Sequence, residues 1–308
     1  VSESTRQKVA AAIQSVGYAP NLTARAMRMG RSRAVGIVVA DLQNPFYPEM
    51  LSELSSAFDE AGYRVVVWIA AMNGNEAALQ AIRERAVDGV VFTTATSDSA
   101  ELRFAIEQGS PLVLVNRPVD GAAADQVVSD NAGGARRVAR YLLGHGRERI
   151  AFVGGPPAAA TSRARREGFV DELAQRGVTL AAGSIVDGEY RHEDGVAALR
   201  TLLAHGTPDA IFCANDILAF GVIDGLRDQG LRVPDDVWVI GYDDIQLASW
   251  GAYSLTTIRQ DIPRSAAIAA RLLIGRIENA RQPLAREVLP PDLVVRGSTG
   301  WAAAGDIA

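Results

Sequence analysis

The sequence predicts an α/β protein made of two similar doubly wound parallel-sheet subdomains. Three observations carry this expectation. From residue 34 onward, short apolar runs of strand length alternate with amphipathic segments of helix length. The strand runs are continuously apolar, as parallel sheets covered by helices on both faces require. The pattern also echoes itself: "GIVVADLQNPFYPEMLSELSSAFDEAGY" (36–63) and "IAFVGGPPAAATSRARREGFVDELAQRGV" (150–178) each hold an apolar strand, a polar loop, a helix with an Asp-Glu pair and a closing glycine.

Taken in order, "STRQKVAAAIQSVG" comes first. Ser4 and Gln7 have capping-box spacing, Val9, Ala12, Ile13 and Val16 recur at helical intervals, and Gly17 closes the segment. Pro20 breaks the chain, and Asn21 then caps a second, short helix through about Met29. Neither helix buries its apolar side alone, so each needs a packing partner. Strands are expected at 35–40, 63–69, 89–93, 111–115, 126–128, 149–153, 184–186, 209–213 and 237–241, with helices such as 46–61 and 163–176 between them.

With 308 residues, 48% of them hydrophobic, the chain can form two ordinary domains and a small additional element. No window approaches the ~18 to 20 uninterrupted apolar residues of a membrane span, and no charged start is followed by an apolar run. The single cysteine, Cys213, excludes an internal disulfide framework, fits a cytoplasmic setting, and lies in the apolar run "DAIFCA" as a buried structural thiol. The first residue is Val, so the natural N-terminus is expected upstream.

Charge is unevenly placed. Residues 1–33 hold six Lys or Arg against one acid, a balance of +5, which leaves −10 on residues 34–308 of a chain whose net charge is −5. A basic arm that includes Arg25, Arg28, Arg31 and Arg33, attached to an acidic body, points to a polyanion for the arm and a different partner for the body.

In open parallel sheets, ligands bind beyond the carboxyl ends of the strands. There the sequence places Asp41, Asn44, Phe46 and Tyr47, then Asn116 and Arg117, Thr161 and Arg165, Tyr190, Asn215 and Asp216, and finally Asp243 and Asp244. Aromatic rings that cover apolar faces, with amides, acids and an arginine as directional donors and acceptors, suit a polyhydroxylated ligand. Asn and Asp at such positions also cap helices or form turns, and that reading stands beside the first. His145, His192 and His205 lack metal-ligand spacing, and the chain carries no Gly-x-Ser-x-Gly elbow or Walker loop. "GHGRER" precedes a strand and therefore lacks the context of a dinucleotide fingerprint. No catalytic residue, metal site or cofactor is assigned.

Over nearly its whole length the chain resembles the lactose-repressor (LacI/GalR) family of bacterial transcription regulators. The matching motifs, in order, are "VSESTRQKVAAAIQSVGYAPNLTARAMRMGRSRAVGIVV", "DLQNPFY", "DGVV", "SDNAGG", "GHGRERIAFVGGP", "RREGF", "CANDILAFGVIDGLRDQGLRVPDDVWVIGYDD", "LTTIRQ" and "VVRGST". The resemblance implies a periplasmic-binding-protein-like (type I) core preceded by a remnant of an α-helical DNA-binding domain whose first two helices are expected upstream of Val1. It divides the chain into a helix-turn-helix remnant (1–19), a hinge helix and linker (20–33), an N-terminal subdomain (34–132 plus 261–282), a C-terminal subdomain (133–260 plus 283–300) and a tail (301–308).

The same resemblance implies a cytoplasmic homodimeric repressor, not an enzyme, that binds operator DNA and a sugar or sugar derivative. Asn21, Thr23, Ala24, Arg25, Met27 and Arg28 fall at DNA-contacting positions, with Met27 where the family usually places a leucine wedge between base steps. Packing of Met27 between hinge and core is the other reading. Phe46, Tyr47, Asn116, Arg117, Thr161, Arg165, Tyr190, Asn215 and Asp243 fall at effector-binding positions. Ala159 stands where purine-responsive members carry an arginine, which favours a sugar over a purine. A stand-alone sugar-binding protein of the transport type is the alternative, and an α/β enzyme the third class.

Overall fold

The computed structural model describes residues 2–7, 12, 31–40, 42–72 and 74–300. Asn21, Thr23, Ala24, Arg25, Met27 and Arg28, and the 301–308 tail, lie outside the described residues. Residues 3–7 are helical, and Ser2 Oγ accepts from the Thr5 amide at 3.4 Å. Ser2, not Ser4, therefore caps this segment, because Ser4 is already inside the helix.

The first half of the chain runs β1 (Ala34–Val39), α1 (Phe46–Glu60), β2 (Arg64–Ile69), α2 (Gly74–Arg83), β3 (Gly89–Phe92), α3 (Ala100–Glu107), β4 (Leu112–Val115) and β5 (Asp125–Ser129). The second begins at α4 (Asn131–Gly144) and continues with β6 (Ile150–Gly154), α5 (Ala160–Gln175), β7 (Ile185–Asp187), α6 (His192–Ala204), β8 (Ala210–Cys213), α7 (Asp216–Asp228), β9 (Trp238–Asp243) and β10 (Thr256–Arg259). Then follow α8 (Ile262–Glu278), β11 (Arg286–Leu289) and β12 (Asp292–Val294). The strands form two six-stranded sheets, ordered β2-β1-β3-β4-β5-β11 and β7-β6-β8-β9-β10-β12. The orders correspond strand for strand, with β1 and β6 equivalent, as the internal echo requires. All pairings are parallel except β12 against β10.

Strand sterics explain how each sheet is covered. Successive side chains point to opposite faces, so β1 sends Val35, Ile37 and Val39 into the core shared with Phe46, Met50, Leu54 and Phe58 of α1. Val38 goes the other way, to Ala78, Ile82, Leu102 and Ala105 of α2 and α3. Both faces being apolar, β1 reads as an unbroken hydrophobic run. Gly36 is required on the second face: a Cβ there would lie 1.9 Å from the Trp68 ring, which crosses from β2. In the second sheet, Phe152, Phe169 and Phe212 pack with centroids 4.9–5.8 Å apart, each burial contributing about 1.5–3 kcal/mol.

Three strands escape the hydrophobic pattern. β10 reads "TTIR", yet Thr256 and Thr257 are fully buried because their hydroxyls donate to Arg296 O (3.1 Å) and Asp216 Oδ1 (2.5 Å). β11 and β12 are edge strands that keep exposed residues. β11 also corrects the domain boundaries: it pairs with β5, so residues 283–289 complete the first sheet and do not belong to the second. The chain thus crosses between subdomains at 129–131, 259–262 and 289–292.

The return of α8 and β11 to the first sheet rests on a buried ion pair. Arg276 Nε and Nη2 donate to Asp125 Oδ2 and Oδ1 at 3.0 and 2.9 Å, and the Ala285 amide donates to the same Oδ1 at 2.8 Å. Asp125 is fully buried, so removing the arginine strands a charge where water cannot reach it. Arg276→Ala is expected to lower the unfolding free energy by about 3–5 kcal/mol in urea titration. A loss below about 1 kcal/mol, the level of an exposed pair, would reject this role.

Candidate functional site

The nine predicted ligand residues meet around one cavity, together with Asn44. The first subdomain contributes Asn44, Phe46 and Tyr47 from the β1–α1 connection, and Asn116 and Arg117 after β4. The second contributes Thr161 and Arg165 from α5, Tyr190 after β7, Asn215 after β8 and Asp243 at the end of β9. Parallel sheets place all these segments at strand carboxyl ends, and the two sheets present those ends to each other.

Arg165 is the centre of the second wall. It is 3% exposed, with Nε donating to Asn131 Oδ1 at 2.7 Å, Nη1 to Ala214 O at 2.6 Å, and Nη2 lying 3.3 Å from Asp243 Oδ1. Its guanidinium stacks on Tyr242, 3.7 Å from the ring centroid. Burial works against the arginine's charge, but Asp243, Tyr242 and Tyr190 around it hold its pKa above the ordinary value. Gln260 Nε2 donates to Asp243 Oδ1 at 2.7 Å.

Backbone strain is concentrated here. Asn116, Tyr190 and Asp243 have φ of 71°, 63° and 120°, the left-handed region that disfavours residues with a Cβ. Such conformations cost about 1–3 kcal/mol each and persist where surrounding structure enforces them. For Tyr190 the enforcing contact is visible: a Cβ at Gly155 would lie 2.2 Å from its ring, so only glycine lets the tyrosine lean against β6.

Other predicted positions have different work. Asn215 Oδ1 caps α7 by accepting from the Leu218 amide at 2.9 Å, so the residue lines the cavity and caps a helix at once. Asp216 is turned into the fold, accepting from Thr257 Oγ1 and the Ile245 amide, and burial pushes its pKa well up. Asp244 is spent on Arg259 and Arg296, both at 2.6 Å. Asp216 and Asp244 therefore leave the candidate set, and Asp41 lies outside the described residues. Cys213 is buried, with burial raising its thiol pKa.

Asn131, Tyr242 and Gln260 were not among the sequence-derived candidates. Asn131 follows β5 within "SDNAGG" and is accessible to the rule that singles out strand ends. Gln260 was not, because β10 itself was unrecognised.

The cavity measures only about 20 Å³, room for one water and no sugar. Glu49 on α1 bridges the gap, its Oε1 accepting from the Gln246 amide of the other subdomain at 2.9 Å. Burial raises the Glu49 pKa, against the lowering effect of that bond.

Burial pushes the Asp243 carboxyl up to about 6, with Arg165 and Gln260 opposing the rise. The folded protein therefore holds this proton more tightly than the unfolded chain, whose aspartates titrate near ~3.9. The resulting stability is present below about pH 4 and is lost as pH rises through about 6. Asp243→Asn removes that loss. The variant's stability relative to the parent is expected to rise by roughly 1–3 kcal/mol between about pH 4 and 7 in urea unfolding. Parallel curves would contradict it.

Comparison with known proteins gives a consistent picture. Residues 139–299 match the family model of the periplasmic binding protein-like domain. The ribose operon repressor of Escherichia coli (strain K12) is 33% identical over 306 residues, covering 97% of this chain and 92% of that protein. The HTH-type transcriptional repressor PurR of Pasteurella multocida (strain Pm70) is 30% identical over 303 residues, covering 97% and 90%. Among solved structures, the transcriptional regulator CelR in complex with cellobiose is 30% identical with a TM-score of 0.81, covering 97% of this chain and 91% of that one.

Proposed function

Because the chain belongs to the lactose-repressor (LacI/GalR) family of transcriptional regulators, we propose that the interdomain cleft is its effector site and that effector occupancy controls operator binding by a homodimer. One observation carries the reading: side chains from both subdomains converge on a single cavity whose lining combines aromatic rings, amides, two arginines and one carboxylate. Such a lining suits a small polyhydroxylated molecule. The sugar names carried by relatives support a sugar or sugar derivative, and Ala159, buried at the start of α5, offers a purine no donor.

Coupling follows from the connections. A ligand held by both walls favours the closed arrangement by its differential affinity for closed over open. The first subdomain is tied to the basic arm through Asp88: one carboxylate oxygen accepts from the Ser32 amide and hydroxyl at 2.7 and 2.9 Å, and the other from the Arg33 amide at 2.9 Å. Rotation of this subdomain thereby moves the start of the arm. Operator contacts come from that arm and from the DNA-binding module expected upstream, with Met27 as the wedge between base steps. The exposed apolar side chains of Val66, Val67 and Met72 on the first subdomain and Trp250 on the second fit coverage by a second copy. A transport-type sugar-binding protein would share the cleft, but the family membership and the basic arm favour the regulator.

A thermal-shift screen of sugars, sugar acids, sugar phosphates and purines is expected to yield a hit. Ligand at ~100 times its dissociation constant adds about 2.7 kcal/mol of stability. Arg165→Ala is expected to remain folded and lose that shift; an undiminished shift in the variant would place the ligand elsewhere. In the complete protein, the logarithm of operator affinity is expected to fall with the logarithm of salt concentration by about 0.9 per phosphate contacted. A salt-independent affinity would reject the basic arm as a DNA contact.

A further inference from the structure

We propose that the effector of this cleft carries a carboxylate, making it a sugar acid rather than a neutral sugar, and that Arg117 reads that group; this rests on the cleft being the effector site. Two arginines line the cavity and only one is neutralised. Arg165 has Asp243 beside it and commits Nε and Nη1 to Asn131 and Ala214. Arg117 forms no ion pair among the described residues. Its Nη2 donates to Tyr47 Oη at 3.2 Å, and its Nε is buried without a partner. The lining thus carries two cations and one anion, a formal +1 that a monoanion cancels.

The chemistry of this half-used edge names the anion. Elsewhere among the described residues, the Nε–Nη2 edge of an arginine grips a carboxylate side-on three times. Arg140 holds Glu172 at 2.8 and 3.0 Å, Arg232 holds Asp236 at 3.0 and 2.9 Å, and Arg276 holds Asp125 at 3.0 and 2.9 Å. Arg117 lines the cavity with a phenol on the Nη2 of that edge and no partner on its Nε. Two parallel N–H groups match the two oxygens of a planar carboxylate, and an unmet buried donor is costly. A second orphan, Tyr190 Oη, lines the same cavity from the other subdomain. A molecule with a carboxylate at one end and hydroxyls along its length satisfies both. A phosphate dianion fits less well: the Phe46 and Leu218 amides, at the starts of α1 and α7, are already occupied by Asn44 and Asn215, and Asp243 opposes a second negative charge.

The test is calorimetry on the 308-residue chain with matched probes: glucose and glucuronate, galactose and galacturonate, ribose and ribonate, and glucose 6-phosphate. One acid is expected to bind at least about tenfold tighter than its neutral parent, the difference of one charge-assisted contact. Arg117→Gln is expected to abolish that preference, and Arg117→Lys to restore part of it; unfolding midpoints near the parent's certify that both variants fold. A neutral sugar binding as tightly as its acid, or an acid affinity unchanged in Arg117→Gln, overturns the carboxylate assignment. In that case, loss of the neutral sugar's binding in Arg165→Ala leaves the effector site itself standing. Tighter binding of glucose 6-phosphate through Arg117 overturns the carboxylate in favour of a phosphate. Binding by none of the probes overturns the sugar-acid assignment and withdraws support from the effector site.

Discussion

The structure turns on one buried guanidinium. Arg165 sits where water is excluded, so its charge and donors must be met by the protein. They are met by Asn131 at the start of α4, Ala214 after β8, Asp243 at the end of β9, and the ring of Tyr242. These groups come from segments far apart in the chain, and satisfying one side chain draws them to one point. The same pull explains why Asp243 is tolerated in a conformation that costs free energy: its carboxylate has Arg165 and Gln260 as partners. This wall of the cavity is thus held by contacts within the protein itself.

The opposite wall is built differently. Phe46 and Tyr47 are anchored by their place in the first turn of α1, where Phe46 packs edge-on to Tyr47 at 5.6 Å. Asn116 and Arg117 sit just beyond a strand end, where Arg117 Nη2 donates to Tyr47 Oη and its Nε has no partner. Each wall keeps an unmet polar group, Arg117 Nε on the first and Tyr190 Oη on the second.

Asp88, just before β3, grips Ser32 and Arg33 immediately before β1, which fixes these two residues to the first sheet. Each subdomain is completed by chain that has already passed through the other: β11 belongs to the first sheet although β6 to β10 of the second precede it.

The first nine strands, the doubling of the fold and the loops that line the cleft were legible in the sequence. Parallel strands buried on both faces must be apolar throughout, and ligand loops must follow their carboxyl ends. Ten of the thirteen residues chosen on that logic line one cavity, among them the nine that the family resemblance implies. What the sequence left open is whatever depends on a partner distant along the chain. Thr256 and Thr257 read as polar loop until tertiary hydrogen bonds bury them in β10. Asp216 and Asp244 look like ligands beside Asp243, and only packing shows them consumed by Thr257, Arg259 and Arg296. Hydrophobic period reports which face of an element is buried, but the fate of a buried polar group depends on which distant donor or acceptor the fold brings within about 3 Å, and only the tertiary structure decides that.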